Sequence, residues 1–114
     1  MLFDKGLLDS PKERVGLLLS DGTSVELQNI CDNPEEGFEV SGLELLSHIS
    51  DAVATWHTHP GERSNLSHGD HHTFLNYPDL LHHIVGTDGV ATYAVQMGKV
   101  VREGFSVWPS EEAA

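Results

Sequence analysis

Hydrophobic positions change period several times along the chain, and the changes mark out its elements. Val15-Gly16-Leu17-Leu18-Leu19 is apolar on both sides of an extended backbone and predicts a buried strand. Asp21-Gly22 is a hairpin turn pair, and Val25 and Leu27 alternate with polar residues in the returning strand, which reaches toward Ile30. Residues 29–39 contain Asn33-Pro34-Glu35-Glu36-Gly37 and read as a loop. Phe38 and Val40 are then expected to rejoin the sheet. Ser41 and Glu44 have capping-box spacing, and Leu43, Leu45, Leu46 and Ile49 give residues 41–50 the apolar stripe of a short helix. Residues 52–59 form the next strand. A second helix is expected over 67–77, stopped before Pro78. Residues 81–85, 90–97 and 100–107 read as three strands, with turns at 86–89 and Gly98-Lys99. The first ten residues predict one helical turn or a strand laid on the core, and Glu111-Glu112-Ala113-Ala114 reads as a frayed acidic tail.

This order predicts an α+β (mixed α/β) fold: a single central, mostly antiparallel sheet flanked by two helices. A length of 114 residues is expected to make one domain, 1–114, with a core of useful size. The net charge of −12, from 18 acids against 6 bases, argues against sequence-independent nucleic-acid binding, which needs a basic face. A one-signed field can also steer a basic partner, although a solvated surface explains the same charge. No apolar run approaches the roughly 20 residues of a membrane span, and Met1-Leu2-Phe3-Asp4-Lys5 does not resemble a secretion signal. One cysteine, Cys31, excludes an internal disulfide, so a cytoplasmic location is expected.

Candidate chemistry concentrates in Trp56-His57-Thr58-His59-Pro60 and its continuation to Asp70. Histidines at i and i+2 point to one face of a strand with Cβ atoms about 6–7 Å apart. With metal–nitrogen bonds of about 2 Å, both imidazoles can converge on one ion. Pro60 ends the ladder. Ser67 is a natural N-cap and Asp70 stands at N3, so its carboxylate on the first helical turn can supply a third ligand and leave a fourth position for water.

Each feature has a plainer explanation alone. A His-x-His pair in a chain with eight histidines reads as a surface pair, and Glu13 as an exposed charge between Lys12 and Arg14. Ser67 and Asp70 read as a helix cap worth about 1 kcal/mol. His71 or His72 can stand in for Asp70 as ligand, although His68, His71 and His72 read better as outer or exposed groups. Of His82 and His83, one is expected in the core and one in solvent. His48 falls on a helix surface, Cys31 is a small inert side chain, Trp56 packs beneath the histidine strand and Trp108 sits at the core edge.

The combination is more specific than its parts. His57-x-His59-Pro60, six residues, Ser67, two residues, Asp70, with Glu13 just before an apolar strand, resembles the signature of the JAMM (MPN+) zinc metallopeptidases. The resemblance covers the chain from about Pro11 to the Val100 region. It implies a JAMM/cytidine-deaminase-like fold and one zinc ion held by His57, His59 and Asp70. It further implies Glu13 as general base and Ser67 as hydrogen-bond donor to the oxyanion. In related enzymes a longer helix precedes the glutamate, whereas this chain has 12 residues there.

The implied partner is a protein or peptide substrate, with ubiquitin-like and phage tail proteins as the candidates. The 29–34 loop and the 54–60 strand look most like the bacterial and phage-tail-associated forms, which would place a phage protein in the host cytoplasm. Phage members often carry a second, cysteine-peptidase-like domain, for which 114 residues leave no room. The alternative is a non-catalytic phage tail assembly module that retains the zinc site. Glu13 and Ser67 favour the enzyme, since a purely structural site needs neither.

Overall fold

The computed structural model describes residues 3–109. The expected acidic tail at 111–114 lies outside the described residues, as does Leu2 of the expected N-terminal turn. The described chain begins with a 3-10 turn, Lys5–Asp9, whose first turn is capped by the Asp4 carboxylate accepting from Gly6 N–H. Strands β1 (Val15–Leu19) and β2 (Ser24–Leu27) form the expected hairpin. Helix α1 (Gly42–Leu46) and a 3-10 turn (Ile49–Asp51) lead to β3 (Ala52–Thr58). Helix α2 (His68–Leu75) then crosses to β4 (Leu81–Gly86), and β5 (Gly89–Gln96) and β6 (Lys99–Val107) complete the meander.

One six-stranded sheet results, in the order β2-β1-β3-β4-β5-β6. Every neighbouring pair is antiparallel except β3 and β4, which run parallel because α2 carries the chain back to the same end. In that β3–α2–β4 unit the carboxyl end of β3 meets the amino end of α2. Side chains from a strand terminus and a first helical turn are thereby brought together.

The helix-bearing face of the sheet carries two apolar clusters. Val15, Leu17 and Leu27 lie under Leu45, Ile49, Phe38 and Val40, and Ile84, Ala91 and Tyr93 pack against Phe74 of α2. On the opposite face, Trp56, Val85 and Val90 are covered by Phe3, Leu7 and Leu8 of the N-terminal turn. Trp56 also needs Gly16 across the ladder, because a Cβ there would overlap the indole ring. Among the described residues no helix is long and apolar enough to cross a membrane.

Three local expectations change. Phe38 and Val40 pack on β1 as loop residues and pair with no strand. Their alternation reports burial alone, because Glu39 N–H is taken by the Asn29 side chain. Helix α1 is one short turn, with Leu43 81% and Leu46 70% exposed, so only Leu45 and Ile49 of its four apolar residues reach the core. Its capping box does not form. Ser41 makes no side-chain cap, and the Glu44 carboxylate turns back to accept from Gln28 N–H at 2.7 Å. The last hairpin turns at Met97-Gly98, one residue earlier than expected, where both residues have positive φ as a type I′ turn requires.

Candidate metal centre

The β3 strand places His57 between Val15 of β1 and Ile84 of β4. His57 is 1% exposed. Its ring faces the helix side, flanked by Phe38 at 4.8 Å and Phe74 at 6.0 Å between ring centroids. Behind it lies an apolar cavity of about 120 Å3 lined by Val15, Leu17, Phe38 and Phe74. His59, just past the strand, is held by its N–H donating to Val85 O. On α2, Ser67 and Asp70 form the capping box that their spacing predicts. The Ser67 hydroxyl accepts from Asp70 N–H at 3.1 Å, and Asp70 Oδ2 accepts from Ser67 N–H at 3.2 Å. The cap aims the Asp70 carboxylate back toward the sheet.

These pieces meet. His57 Nε2 lies 2.9 Å from Asp70 Oδ1, His59 Nε2 lies 3.0 Å from Asp70 Oδ2, and the two Nε2 atoms are 3.2 Å apart. Tetrahedral zinc with bonds near 2.1 Å would separate its ligands by about 3.4 Å, so the cluster stands a few tenths of an ångström inside that spacing. His59 Nδ1 lies 3.0 Å from Arg63 O. Nδ1–H donating to that carbonyl leaves Nε2 with its lone pair directed into the cluster, as metal-bound imidazoles are generally arranged. A carboxylate oxygen of Glu13 joins the two imidazole nitrogens within a mutual distance of 4.8 Å. Glu13, His57 and His59, all buried, thus form a group that can hold a metal ion, and Asp70 contacts both imidazoles, at 2.9 and 3.0 Å. The donor set, two neutral-capable imidazoles and buried carboxylates, suits a divalent cation.

Electrostatics agree with that charge balance. Burial pushes the Glu13 carboxyl up to about 7; the Asp70 and Glu62 charges add to the rise, and His59 opposes it. Burial would likewise raise Asp70, but hydrogen bonds and charge from His57 and His59 hold it well below the usual carboxylate range. His59 is opposed by burial, yet Asp70, Arg63 O and Glu13 raise it above its ordinary value.

Ser67 is solvent-exposed and lines the same polar cleft as Glu13, Glu36, Glu62 and His59. Because its oxygen accepts from Asp70 N–H, its hydroxyl hydrogen is free to point into the cleft. His68, His71 and His72 are exposed on α2. His82 is in the core as expected of one of the pair. His83 sits half-buried on the opposite face, 5.4 Å from the Phe3 ring, and not in open solvent.

Sequence reasoning missed several supporting residues. Thr58 makes two contacts to Arg14, through Arg14 N–H donating to its hydroxyl and its own N–H donating to Arg14 O, which ties the glutamate segment to the histidine strand. Glu36 and Phe38 line an adjoining cleft with Glu13, Ser67 and Asp70. Asn29 holds the loop that bears them. An asparagine two residues past a strand, opening a long Pro- and Gly-containing loop, was the available signal.

Comparison with protein-family models finds none that matches this chain, and comparison with curated proteins finds none either.

Proposed function

We propose that this chain is a zinc-dependent metallopeptidase or isopeptidase of the JAMM type, hydrolysing an amide bond in a protein or peptide. The observation that carries the reading is the Asp70 carboxylate set between two imidazole Nε2 atoms, with buried Glu13 beside them at the edge of an open cleft. His57, His59 and Asp70 would hold the ion. When bound, zinc supplies a Lewis acid for the scissile carbonyl and acidifies water toward neutrality.

Glu13 is the general base. Its carboxyl, pushed up to about 7 by burial in the metal-free protein, stands beside both imidazoles, where it can take a proton from water and return it to the leaving amine. The Ser67 hydroxyl donates toward the oxyanion, a contribution typically worth about 3–4 kcal/mol in the transition state. The acids of the cleft wall, Glu36 and Glu62, favour substrates with a basic side chain near the scissile bond.

The test is Glu13→Gln. Zinc content should match wild type while cleavage of a peptide library falls by two to four orders of magnitude, the usual span for general-base loss. Unchanged cleavage in Glu13→Gln removes the base assignment. Bound zinc in a wild-type protein without chelator-sensitive cleavage replaces the enzyme with a non-catalytic assembly module.

A further inference from the structure

Glu13 lies two residues before β1 begins, and the bonds from the histidine strand reach only as far as Arg14, through Thr58. The Glu13 backbone is held from elsewhere. Glu13 N–H donates to Pro34 O at 2.6 Å, and Glu13 O accepts from Asn29 Nδ2 at 2.8 Å. Both partners belong to the long connection that follows β2. The second Asn29 Nδ2 hydrogen reaches Gly37 O at 3.0 Å, and Asn29 Oδ1 accepts from Cys31 N–H at 3.0 Å and Glu39 N–H at 3.1 Å. Two donors and two acceptor positions are the full capacity of a primary amide. All four are spent on backbone, and none on another side chain.

The targets of these bonds are informative. Gly37 O and Glu39 N–H flank Phe38, whose ring lies 4.8 Å from that of His57. Ile30 N–H donating to Glu39 O at 2.8 Å closes the base of the same loop. One amide therefore fastens Glu13 and the aromatic wall of the metal cluster to a common anchor. The cluster itself is set independently, by β3 and the α2 cap.

We infer that Asn29 is a positioning residue that sets Glu13 against the His57/His59/Asp70 cluster without itself bonding to any residue of that cluster. The assignment of a catalytic consequence rests on the proposed hydrolase reading; the assignment of the clamp does not. Replacing the amide by a carboxylate isolates the effect. Asn29→Asp keeps an acceptor for Cys31 and Glu39 N–H but turns an oxygen toward Glu13 O and Gly37 O, so the two donated bonds are lost and repulsion replaces them.

The experiment is native-state hydrogen exchange on the zinc-supplemented protein, wild type against Asn29→Asp, with zinc stoichiometry measured on the same samples. The expected result is exchange at the Glu13 amide at least tenfold faster, unchanged protection at Thr58 and His59, and unchanged zinc. If wild type cleaves a peptide, kcat should fall about a hundredfold at constant KM, the scale of a misplacement near 1 Å. A Glu13 amide as protected as in wild type would overturn the inference, as would simultaneous loss of His59 protection and zinc. If Asn29→Asp does not fold, Asn29→Ser, which leaves space for water, is read by the same criteria. A wild type that cleaves nothing removes the hydrolase reading and leaves the exchange result to decide the clamp alone.

Discussion

Histidines of two neighbouring strands, His57 on β3 and His82 on β4, are held in opposite ways. His57 and His82 are equally buried, at 1% and 0% exposure, and both face the helix side. His82 is surrounded by neutral partners. Its Nδ1 lies 2.7 Å from the Thr55 hydroxyl, its Nε2 lies 3.0 Å from Tyr77 O, and its ring stacks on Phe74 at 4.2 Å. Burial, opposed by the Tyr77 carbonyl, holds it below its ordinary pKa. His57 and His59 instead turn their Nε2 atoms on one carboxylate with a second nearby. Burial is common to His57, His59 and His82 and by itself identifies no site. The difference is the charge that the ring nitrogens face: His82 completes a neutral network that pins α2 to the sheet, whereas His57 and His59 enclose a place for a cation.

The largest effect expected from breaking this contrast is Asp70→Ala, which removes the carboxylate between the imidazoles. Zinc affinity measured by calorimetry should fall by well over a hundredfold, since even an outer partner of a ligand is worth about 10–100-fold. His82→Phe should leave zinc affinity unchanged. It strands the Thr55 hydroxyl and Tyr77 carbonyl in the interior and should cost about 2–3 kcal/mol in chemical denaturation.

The same variant sharpens the comparison through pH. In the unfolded chain His82 takes a proton near its ordinary value of 6.5, and the folded chain resists it. Its contribution to stability is therefore present above 6.5 and lost as pH falls. His59, whose pKa is raised, has the opposite sign in the metal-free protein: its contribution is present below 6.5 and lost as pH rises through the folded value. Denaturation of metal-free His82→Phe between pH 5 and 7.5 should show a shallower acid-side decline than wild type. An equal decline in both proteins would mean that His82 does not titrate across unfolding. The smallest effect is expected at Leu43, 81% exposed on α1, where Leu43→Ser should change stability by less than about 0.5 kcal/mol.

Legibility in the sequence followed the range of the interactions. The His57/His59 pair and the Ser67/Asp70 cap are set by local periodicity, so their spacing announced both the same-face histidines and the carboxylate aimed by the helix start. The hairpin at Asp21-Gly22 and the strands of the meander were legible for the same reason. What depended on distant partners was not. Apolar Phe38 and Val40 imitate a strand because core contact and ladder pairing leave the same alternation. Glu44 imitates a capping residue until Gln28, just past β2, supplies its N–H as a competing donor. The Asn29 clamp on Glu13 spans 16 residues and has no periodic trace. His83 is half-buried beside Phe3, far away in sequence, and bonded to Thr92 on the next strand.

The most direct measurement is metal stoichiometry by native mass spectrometry on wild type and on His57→Ala/His59→Ala. Wild type should carry one zinc per chain, removable by chelator, and the double variant none. Wild type without zinc, or a double variant that retains it, would contradict the metal centre on which the proposed function stands.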